Sequence, residues 1–242
     1  MQAYNRWFRP STVALIILFC ASYSSADTRR SLLARASESP SSGVACYFVG
    51  RALLNSNGQG QAVGYFTDIT GVGASDSLFN GSPSEKTAFF TFRSDVFSGT
   101  PLPPNGDIAL LLVSSGTFNI YFNPKPDGDW SNPDSFSGDQ RTTSQPIAQF
   151  RRPETLVLQI LQSDSTAPPP FESVTLHALT GKLASSQSFT FKGHKYDFGD
   201  LAPAGLTLYE SASNTGVPGV AGFPIGQAYA GHCLGVVDED MQ

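Results

Sequence analysis

Apolar and polar residues alternate along much of this chain, and the alternation predicts β-strands. Val44, Cys46 and Phe48 fall on alternate positions, and so do Val63 and Tyr65 further on. Since successive side chains of a strand point to opposite faces of the sheet, each segment predicts a strand with one apolar face. The connection between the two segments, NSNGQGQ, contains an Asn-Gly pair and therefore indicates a hairpin turn.

Similar segments recur to the end of the chain. They cover residues 86–96, 107–113, 117–122, 147–151, 155–162, 173–179, 188–192, 195–198, 206–210 and 227–237. Turn-forming stretches such as SGTPLPPNG, NPKPDGDWSNPDSFSGDQ, APPP and NTGVPG separate them, and we expect these to be loops. No stretch of a dozen residues has a helical apolar period, so we predict an all-β protein with one or two short helical turns.

Two segments, IALLLV and LVLQIL, are apolar at nearly every position. Such runs are typical of strands that are covered on both faces, or of strands whose second face lines a cavity. An exposed edge strand of this kind would favour aggregation. We therefore expect both segments to belong to the core.

The first 26 residues have the features of a secretory signal peptide. Arg6 and Arg9 precede an apolar run, and small residues lie before a predicted cleavage after Ala26. The apolar run has about ten residues, well short of the roughly 20 that span a bilayer, and no later run is long enough. We expect a mature chain that starts near Asp27, is secreted or extracytoplasmic, and has no transmembrane segment.

Cysteine usage agrees with export. The chain has three cysteines, and cleavage of the signal peptide removes Cys20 and leaves Cys46 and Cys233, both in strand-like segments. An even number of cysteines in an exported chain favours a disulfide; the alternative is two separate buried thiols. A disulfide requires Cα atoms within about 7 Å of each other. We therefore predict that the first and last strands are adjacent.

The mature chain is predicted to contain a single all-β domain over residues 43–237. A polar, flexible arm (27–42) precedes it and an acidic tail (238–242) follows it. We expect either a single antiparallel barrel or a two-sheet sandwich, with long loops rich in proline and glycine. The long hairpin-like meanders of the first half favour the barrel.

Composition excludes one class of partner. Charged residues make up 14% of the chain, the formal net charge is −5, and no basic patch with interleaved aromatic residues occurs. Nucleic acid is therefore not expected as a partner.

No familiar catalytic signature occurs: there is no G-x-S-x-G, no H-E-x-x-H, no P-loop and no dinucleotide-binding glycine motif. We assign no catalytic residue, cofactor or metal site from the sequence. His177, His194 and His232 are isolated from one another, so each is expected to be a structural histidine with a local hydrogen bond. Carboxylates near strands would have to pair inside a cavity to act as acid–base catalysts. Those considered are Asp68, Glu85, Asp95, Asp197 and Glu210.

The segment NPKPDGDWSNPDSFSGD is rich in oxygen ligands. It begins like a calcium-binding EF-hand loop at Asp127 and Asp129 and continues to Asp139, but the glycine at position 6 and the glutamate at position 12 are absent. Such residues are also common turn formers. We expect a surface loop without calcium whose Trp130 and Phe136 fold back onto the core. Exposed aromatic rings that stack on a sugar are the remaining alternative.

Three classes of function stay open. We expect an exported, non-catalytic β domain with a role in binding or at the cell surface, because catalytic motifs are missing and long loops carry aromatic residues. The alternatives are a β-barrel carrier of a hydrophobic small molecule, and a barrel enzyme of the isomerase or cyclase type with carboxylates in an apolar cavity. The partner is accordingly expected to be a hydrophobic small molecule or a carbohydrate. In a eukaryotic source, Asn80 would be a glycosylation site.

Overall fold

The computed structural model describes residues 43–73, 77–105, 108–137, 144–161 and 173–236. Its strands are β1 (Val44–Leu54), β2 (Gln59–Ile69), β3 (Phe90–Ser94), β4 (Phe97–Asn105), β5 (Ile108–Val113), β6 (Gly116–Phe122), β7 (Gln145–Arg152), β8 (Thr155–Leu161), β9 (Ser173–Ser186), β10 (Phe189–Phe191), β11 (His194–Tyr196), β12 (Leu206–Val220) and β13 (Phe223–Gly235). A 3₁₀ turn (Pro133–Phe136) and the helix α1 (Phe198–Leu201) complete the described elements.

The predicted signal peptide, the arm up to residue 42 and the tail from residue 238 lie outside the described residues. Within the described ranges, no helix has the length and apolarity needed to cross a membrane.

Eleven of the strands form one antiparallel sheet that closes on itself. β3 and β4 are two parts of one long strand, and so are β5 and β6, because the pairing of β3 with β6 continues in the same register into that of β4 with β5. β7 and β8 are related in the same way. Eight long strands thus follow one another around a closed barrel, and β1 pairs with both β2 and β13. The fold is therefore the predicted antiparallel barrel and not the sandwich.

The barrel closes through its first and last strands, as the cysteine positions predict. Cys46 lies directly opposite Cys233 in the pairing of β1 with β13, their Cα atoms are 5.0 Å apart, and a disulfide joins them. Both side chains are buried in the interior core. The two residues are 187 positions apart, so the disulfide cross-links nearly the whole domain.

Aromatic rings fill one half of the barrel interior. The Phe92 ring centroid lies 5.7 Å from that of Phe48, 5.5 Å from that of Phe66 and 5.2 Å from that of Phe118. These side chains are almost fully buried, and rings at such distances attract one another beyond the effect of burial alone. We call this region the aromatic half; its core contains Phe48, Phe66, Phe90, Phe92, Phe118, Phe122 and Phe150.

The segment between β9 and β12 closes the end of the aromatic half. The hairpin of β10 and β11 places Phe189 and Phe191 at 5.5 and 5.1 Å from Phe90, measured between ring centroids. The helix α1 places Phe198 at 6.2 Å from Phe150. The barrel is therefore plugged at this end by side chains that continue its core.

The other half of the interior, towards the hairpin turns between β1 and β2 and between β12 and β13, is lined differently. A Cβ atom added at Gly60, which faces the interior together with Phe66, would touch both Leu54 and Phe97. Many inward-facing residues here are half-buried, in contrast to those of the aromatic half. We call this region the polar half; it is lined by Leu54, Leu111, Arg152, Val157, His177 and Glu210.

Two segments that we predicted to be loops are strands. SGTPLPPNG forms most of β4, and NTGVPG lies in the second part of β12. In the described pairings, β4 meets β2 only at Gln59 and Gly60, and β12 meets β9 only up to Ala212. Pro101 and Pro218 therefore each have one unpaired side, where the missing N–H of proline breaks no ladder. The prediction of loops was wrong because proline and glycine are tolerated in a strand where one of its sides is unpaired.

The prediction that IALLLV and LVLQIL are core is correct for the interior face alone. Val113 and Val157 are buried. Leu156 and Leu158, on the opposite face of β8, are 37% and 38% exposed. The outer surface of this part of the barrel thus presents leucine side chains to solvent.

Candidate functional site

His177 and Glu210 lie opposite each other on β9 and β12. The next pair on the same face, Leu179 and Leu208, is buried in the interior core, so the two polar side chains also face the interior. The Glu210 carboxylate accepts a hydrogen bond from Nδ1 of His177. The side chains are 13% and 18% exposed, although they face inward. They form a partly exposed histidine–carboxylate pair at inward positions of the sheet.

Arg152 brings a positive charge into the same interior. It follows the buried, inward-facing Phe150 by two residues on β7 and is 5% exposed, whereas its neighbour Arg151 is exposed on the outer face. Burial lowers the pKa of the Arg152 guanidinium, and the negative charges of Glu210 and Asp95 oppose this shift. Arg152, like His177 and Glu210, therefore lies at an inward position of the barrel.

Tyr229 lies where the two halves meet. It is opposite Ala212 on β12 and Gly50 on β1, and its ring centroid is 6.2 Å from that of Phe48. Burial raises the pKa of its hydroxyl well above the ordinary value, and Glu210 adds to this effect. Tyr229 therefore remains protonated at physiological pH.

A glycine makes room for this ring. A Cβ atom at Gly50 would lie within 2.8 Å of three atoms of Tyr229. Further along the interior, Gln227 Nε2 donates a hydrogen bond of 3.3 Å to Thr175 Oγ1. Thr175 and Gln227 thus add polar side chains at inward positions of β9 and β13.

Two nitrogen atoms of this cluster have no hydrogen-bond partner in the described part of the chain: Nη1 of Arg152 and Nε2 of His177. Buried polar atoms are nearly always paired, and leaving one unpaired costs about 1–3 kcal/mol, more when the group is charged. The two atoms are therefore the polar atoms of this cluster whose hydrogen-bonding capacity is unused among the described residues.

The cluster can hold a polar group and can move a proton. Arg152 offers an N–H donor to an anion or a carbonyl oxygen. Nε2 of His177 can accept or donate a proton while Glu210 fixes the orientation of the ring. The site is therefore chemically suited to binding an oxygen-bearing ligand and to acid–base chemistry.

The five carboxylates considered from the sequence do not converge. Glu210 faces the interior, whereas Asp68 and Asp95 are exposed, on β2 and at the junction of β3 and β4. Glu85 lies in the connection between β2 and β3, and Asp197 accepts a hydrogen bond from a backbone N–H at the start of α1. The partner that the structure gives Glu210 is a histidine and not a second carboxylate.

The other histidines lie outside the interior. His194 is exposed on β11. His232 lies on the outer face of β13, where its ring stacks on Tyr209 with centroids 5.5 Å apart. We expected His177 to be satisfied by a local hydrogen bond; among the residues that the structure describes, Glu210 is the partner of Nδ1, and Nε2 has none.

The aspartate-rich loop folds back onto the outer face of β1 and β2, as predicted for its aromatic residues. Phe136 is fully buried beside Leu53 and Val63, and the Trp130 ring centroid lies 4.8 Å from that of Phe136. The guanidinium carbon of Arg51 lies 4.4 Å from the Trp130 centroid, a cation–π contact. These rings are packed and are not free platforms for a sugar.

The carboxylates of the same loop have local partners. Asp129 accepts hydrogen bonds from the backbone N–H and the hydroxyl of Ser131, and Asp134 forms an ion pair of 2.8 Å with Arg93. Asp139 lies outside the described residues. Among the residues that the structure does describe, no group of three His, Cys, Asp or Glu residues is arranged to hold a metal ion.

Asn80, the predicted glycosylation position, is exposed in the connection between β2 and β3.

A shallow depression of about 410 Å³ lies on the outer face of β8, β9, β12 and β13. Leu158, Leu176, Tyr209 and His232 contribute side chains to it, and Leu176 is 45% exposed. The alternation of β9 places Leu176 on the face opposite to His177. The depression is therefore a largely apolar outer surface, and His177 and Glu210, whose side chains lie at inward positions, also border it.

Sequence reasoning did not single out Arg152. It follows Arg151 directly in RRPE, and no pattern distinguishes the inward arginine from the outward one. Glu210 does have a signal, because Leu206, Leu208 and Glu210 alternate and so share one face.

The fold and the cluster together define a class, a closed eight-stranded antiparallel barrel with an arginine, a histidine and a glutamate inside. The chain matches no protein-family model, no curated protein and no solved structure. Its function must therefore be inferred from the geometry of the interior.

Proposed function

We propose that this protein is an exported, non-catalytic β-barrel that binds a small, largely apolar molecule in the polar half of its interior. The observation that carries the proposal is the contrast in burial between the halves. Inward-facing rings such as Phe66 and Phe92 are 1% exposed, whereas the inward-facing side chains of His177 and Glu210 are 13% and 18% exposed.

The lining supports an apolar ligand with one polar group. Leu54 and Leu111 supply half-buried aliphatic surface, and Val157 lies between Leu111 and His177 in the sheet. Small-molecule sites are typically lined by apolar side chains with a few placed polar groups. The unpartnered nitrogens of Arg152 and His177 are such groups.

Export is supported by the features of residues 1–26 and by the disulfide between Cys46 and Cys233, since disulfides persist in oxidising compartments. N-terminal sequencing of protein secreted by an expressing host should start at Asp27. A mature chain that still carries Met1 would contradict export.

The binding proposal is tested with the neutral dye Nile red, whose fluorescence rises in apolar surroundings. Ala52 faces the interior opposite Ala62 and Gln227, and Ala178 is exposed and lines the outer depression. We expect Ala52→Phe to abolish the fluorescence rise by filling the polar half, and Ala178→Phe to leave it intact. The reverse result would place the dye on the outer face, and an absence of binding to the unaltered protein would contradict the proposal.

A second candidate is a proton-transfer enzyme. It is favoured by His177, whose Nε2 has no partner among the described residues and whose Nδ1 is hydrogen-bonded to Glu210. In a β,γ-unsaturated ketone, Nε2 would take a proton from the carbon between the carbonyl and the double bond and return it to the far carbon. No oxidant or reductant is needed. The test is the isomerisation of cyclohex-3-enone to the conjugated cyclohex-2-enone. Activity of the unaltered protein that is lost in His177→Gln would support this candidate, and no turnover by the unaltered protein would exclude the reaction.

A further inference from the structure

The interior of the polar half contains a cation with an unused donor. Arg152 is only 5% exposed, and its Nη1 has no hydrogen-bond partner among the described residues. A buried guanidinium loses its hydration, so each donor that is not hydrogen-bonded makes the empty site less favourable. An acceptor that reaches Nη1 therefore binds more tightly than the same molecule without that acceptor.

The neighbouring groups restrict what the acceptor can be. Glu210 places a negative charge close enough to act on Arg152, and its carboxylate is already held by His177. A ligand ammonium group would approach Arg152 as a like charge and is therefore disfavoured. A single carboxylate fits, because one of its oxygens can accept a hydrogen bond from the unpartnered Nη1 of Arg152.

The rest of the lining sets the body of the ligand. Leu54, Leu111 and Val157 offer no charged group to a ligand, and they extend from the cluster towards the hairpin turns. Resting on the proposed small-molecule function, we propose that the natural ligand class is an amphiphilic monocarboxylate whose acid group is held by Arg152 and whose apolar chain lies along this aliphatic lining.

The experiment compares ligands that share one chain and differ at one end. Decanoate, decanol, decylamine and, as a control without the chain, acetate are titrated against the unaltered full-length mature protein by calorimetry. We expect decanoate to bind about tenfold to a hundredfold more tightly than decanol, as a hydrogen bond to a charged group provides. Decylamine and acetate should bind more weakly than decanol and decanoate respectively.

Variants then locate the acid group. Arg152→Met should reduce the affinity for decanoate by about tenfold to a hundredfold and that for decanol, a neutral acceptor, by much less. Arg151→Met, one residue away on the outer face, is the matched control and should change neither. Circular dichroism verifies the fold of both variants.

The outcomes separate this inference from the function on which it rests. Equal affinity for decanoate and decanol in the unaltered protein overturns the inference, whatever the variants do, while Nile red binding would still support the interior site. A loss of decanoate preference in Arg151→Met also overturns it. If neither dye nor decanoate binds, the proposed function fails together with the inference.

Discussion

The two halves of the barrel interior are built from the same eight strands but differ in the packing and polarity of their side chains. In the aromatic half, rings meet at centroid distances of 5.2–5.7 Å around Phe92, and the end is plugged by β10, β11 and α1. In the polar half, Arg152 and His177 each keep an unpartnered nitrogen within the described chain, and aliphatic side chains are half-buried. The difference teaches that a closed barrel can concentrate its stability at one end.

This division has an energetic reason. Dense packing of large side chains stabilises a domain, whereas unpaired polar atoms and incompletely filled space destabilise it. A site that keeps unpaired polar groups therefore needs surplus stability elsewhere. The aromatic half, together with the disulfide between Cys46 and Cys233 in its core, provides that surplus.

Truncating one side chain in each half tests whether the two halves differ in packing. Phe92→Ala should reduce the free energy of unfolding by about 3–5 kcal/mol, because a fully buried ring leaves a cavity. Leu111→Ala, in the polar half, should reduce it by less than about 2 kcal/mol, since the leucine is only half-buried. Urea unfolding of the two variants measures both values. Equal losses would show that the halves are equally packed.

Removal of the disulfide should be the next largest effect. Replacing Cys46 and Cys233 together with serine should reduce stability by about 2–5 kcal/mol, the range for native disulfides. The strand pairing of β1 with β13 extends over many residues, so the barrel should still fold. Urea unfolding and circular dichroism measure this. Two thiols that are freely alkylated in the unfolded, unreduced protein would contradict the bond itself.

The boundary between the halves can be tested at Gly50. In Gly50→Ala the added methyl group would collide with the Tyr229 ring, and we expect a loss of about 1–3 kcal/mol from overpacking. Gly43→Ala is the matched control, because nothing lies within 4 Å of a Cβ atom there. Thermal unfolding of both variants provides the measurement. A harmless Gly50→Ala would mean that Tyr229 is not held against β1.

The smallest effect is a dependence on alkaline pH. Because burial raises the pKa of Tyr229 in the folded state, the contribution of this residue to stability is complete below about pH 10, the ordinary tyrosine pKa. It is lost as the pH rises through the raised folded value. The urea midpoint should therefore fall less steeply above pH 10 in Tyr229→Phe than in the unaltered protein. Tyr47→Phe, at an exposed position, should not differ from the unaltered protein.

Much of the fold could be predicted from alternation and cysteine placement. The all-β fold, the adjacency of β1 and β13 and the packing of Phe136 against the barrel follow from such patterns. The choice between barrel and sandwich did not, because alternation alone is compatible with both. The strand β4 could not be predicted from its sequence. Its prolines are tolerated only because one side of the strand is unpaired, and the pairing of a strand depends on the whole barrel.

The candidate site was less predictable, and His177 shows why. In SVTLHALT the face of Leu176 and Ala178 is more apolar than that of Thr175 and His177, so alternation alone favours an outward histidine. The structure has the opposite arrangement, with Leu176 outside and His177 inside. A polar residue at an inward position of the barrel inverts the usual rule.

The central claim, that the polar half admits a ligand while the aromatic half does not, is tested most directly by NMR of methyl-labelled protein during titration with decanoate. We predict that shift changes are concentrated on the methyl groups of Leu54, Leu111 and Val157 and are absent from those of Ile120, which is fully buried in the aromatic half. Shift changes confined to Leu158 and Leu176, on the outer depression, would contradict the claim.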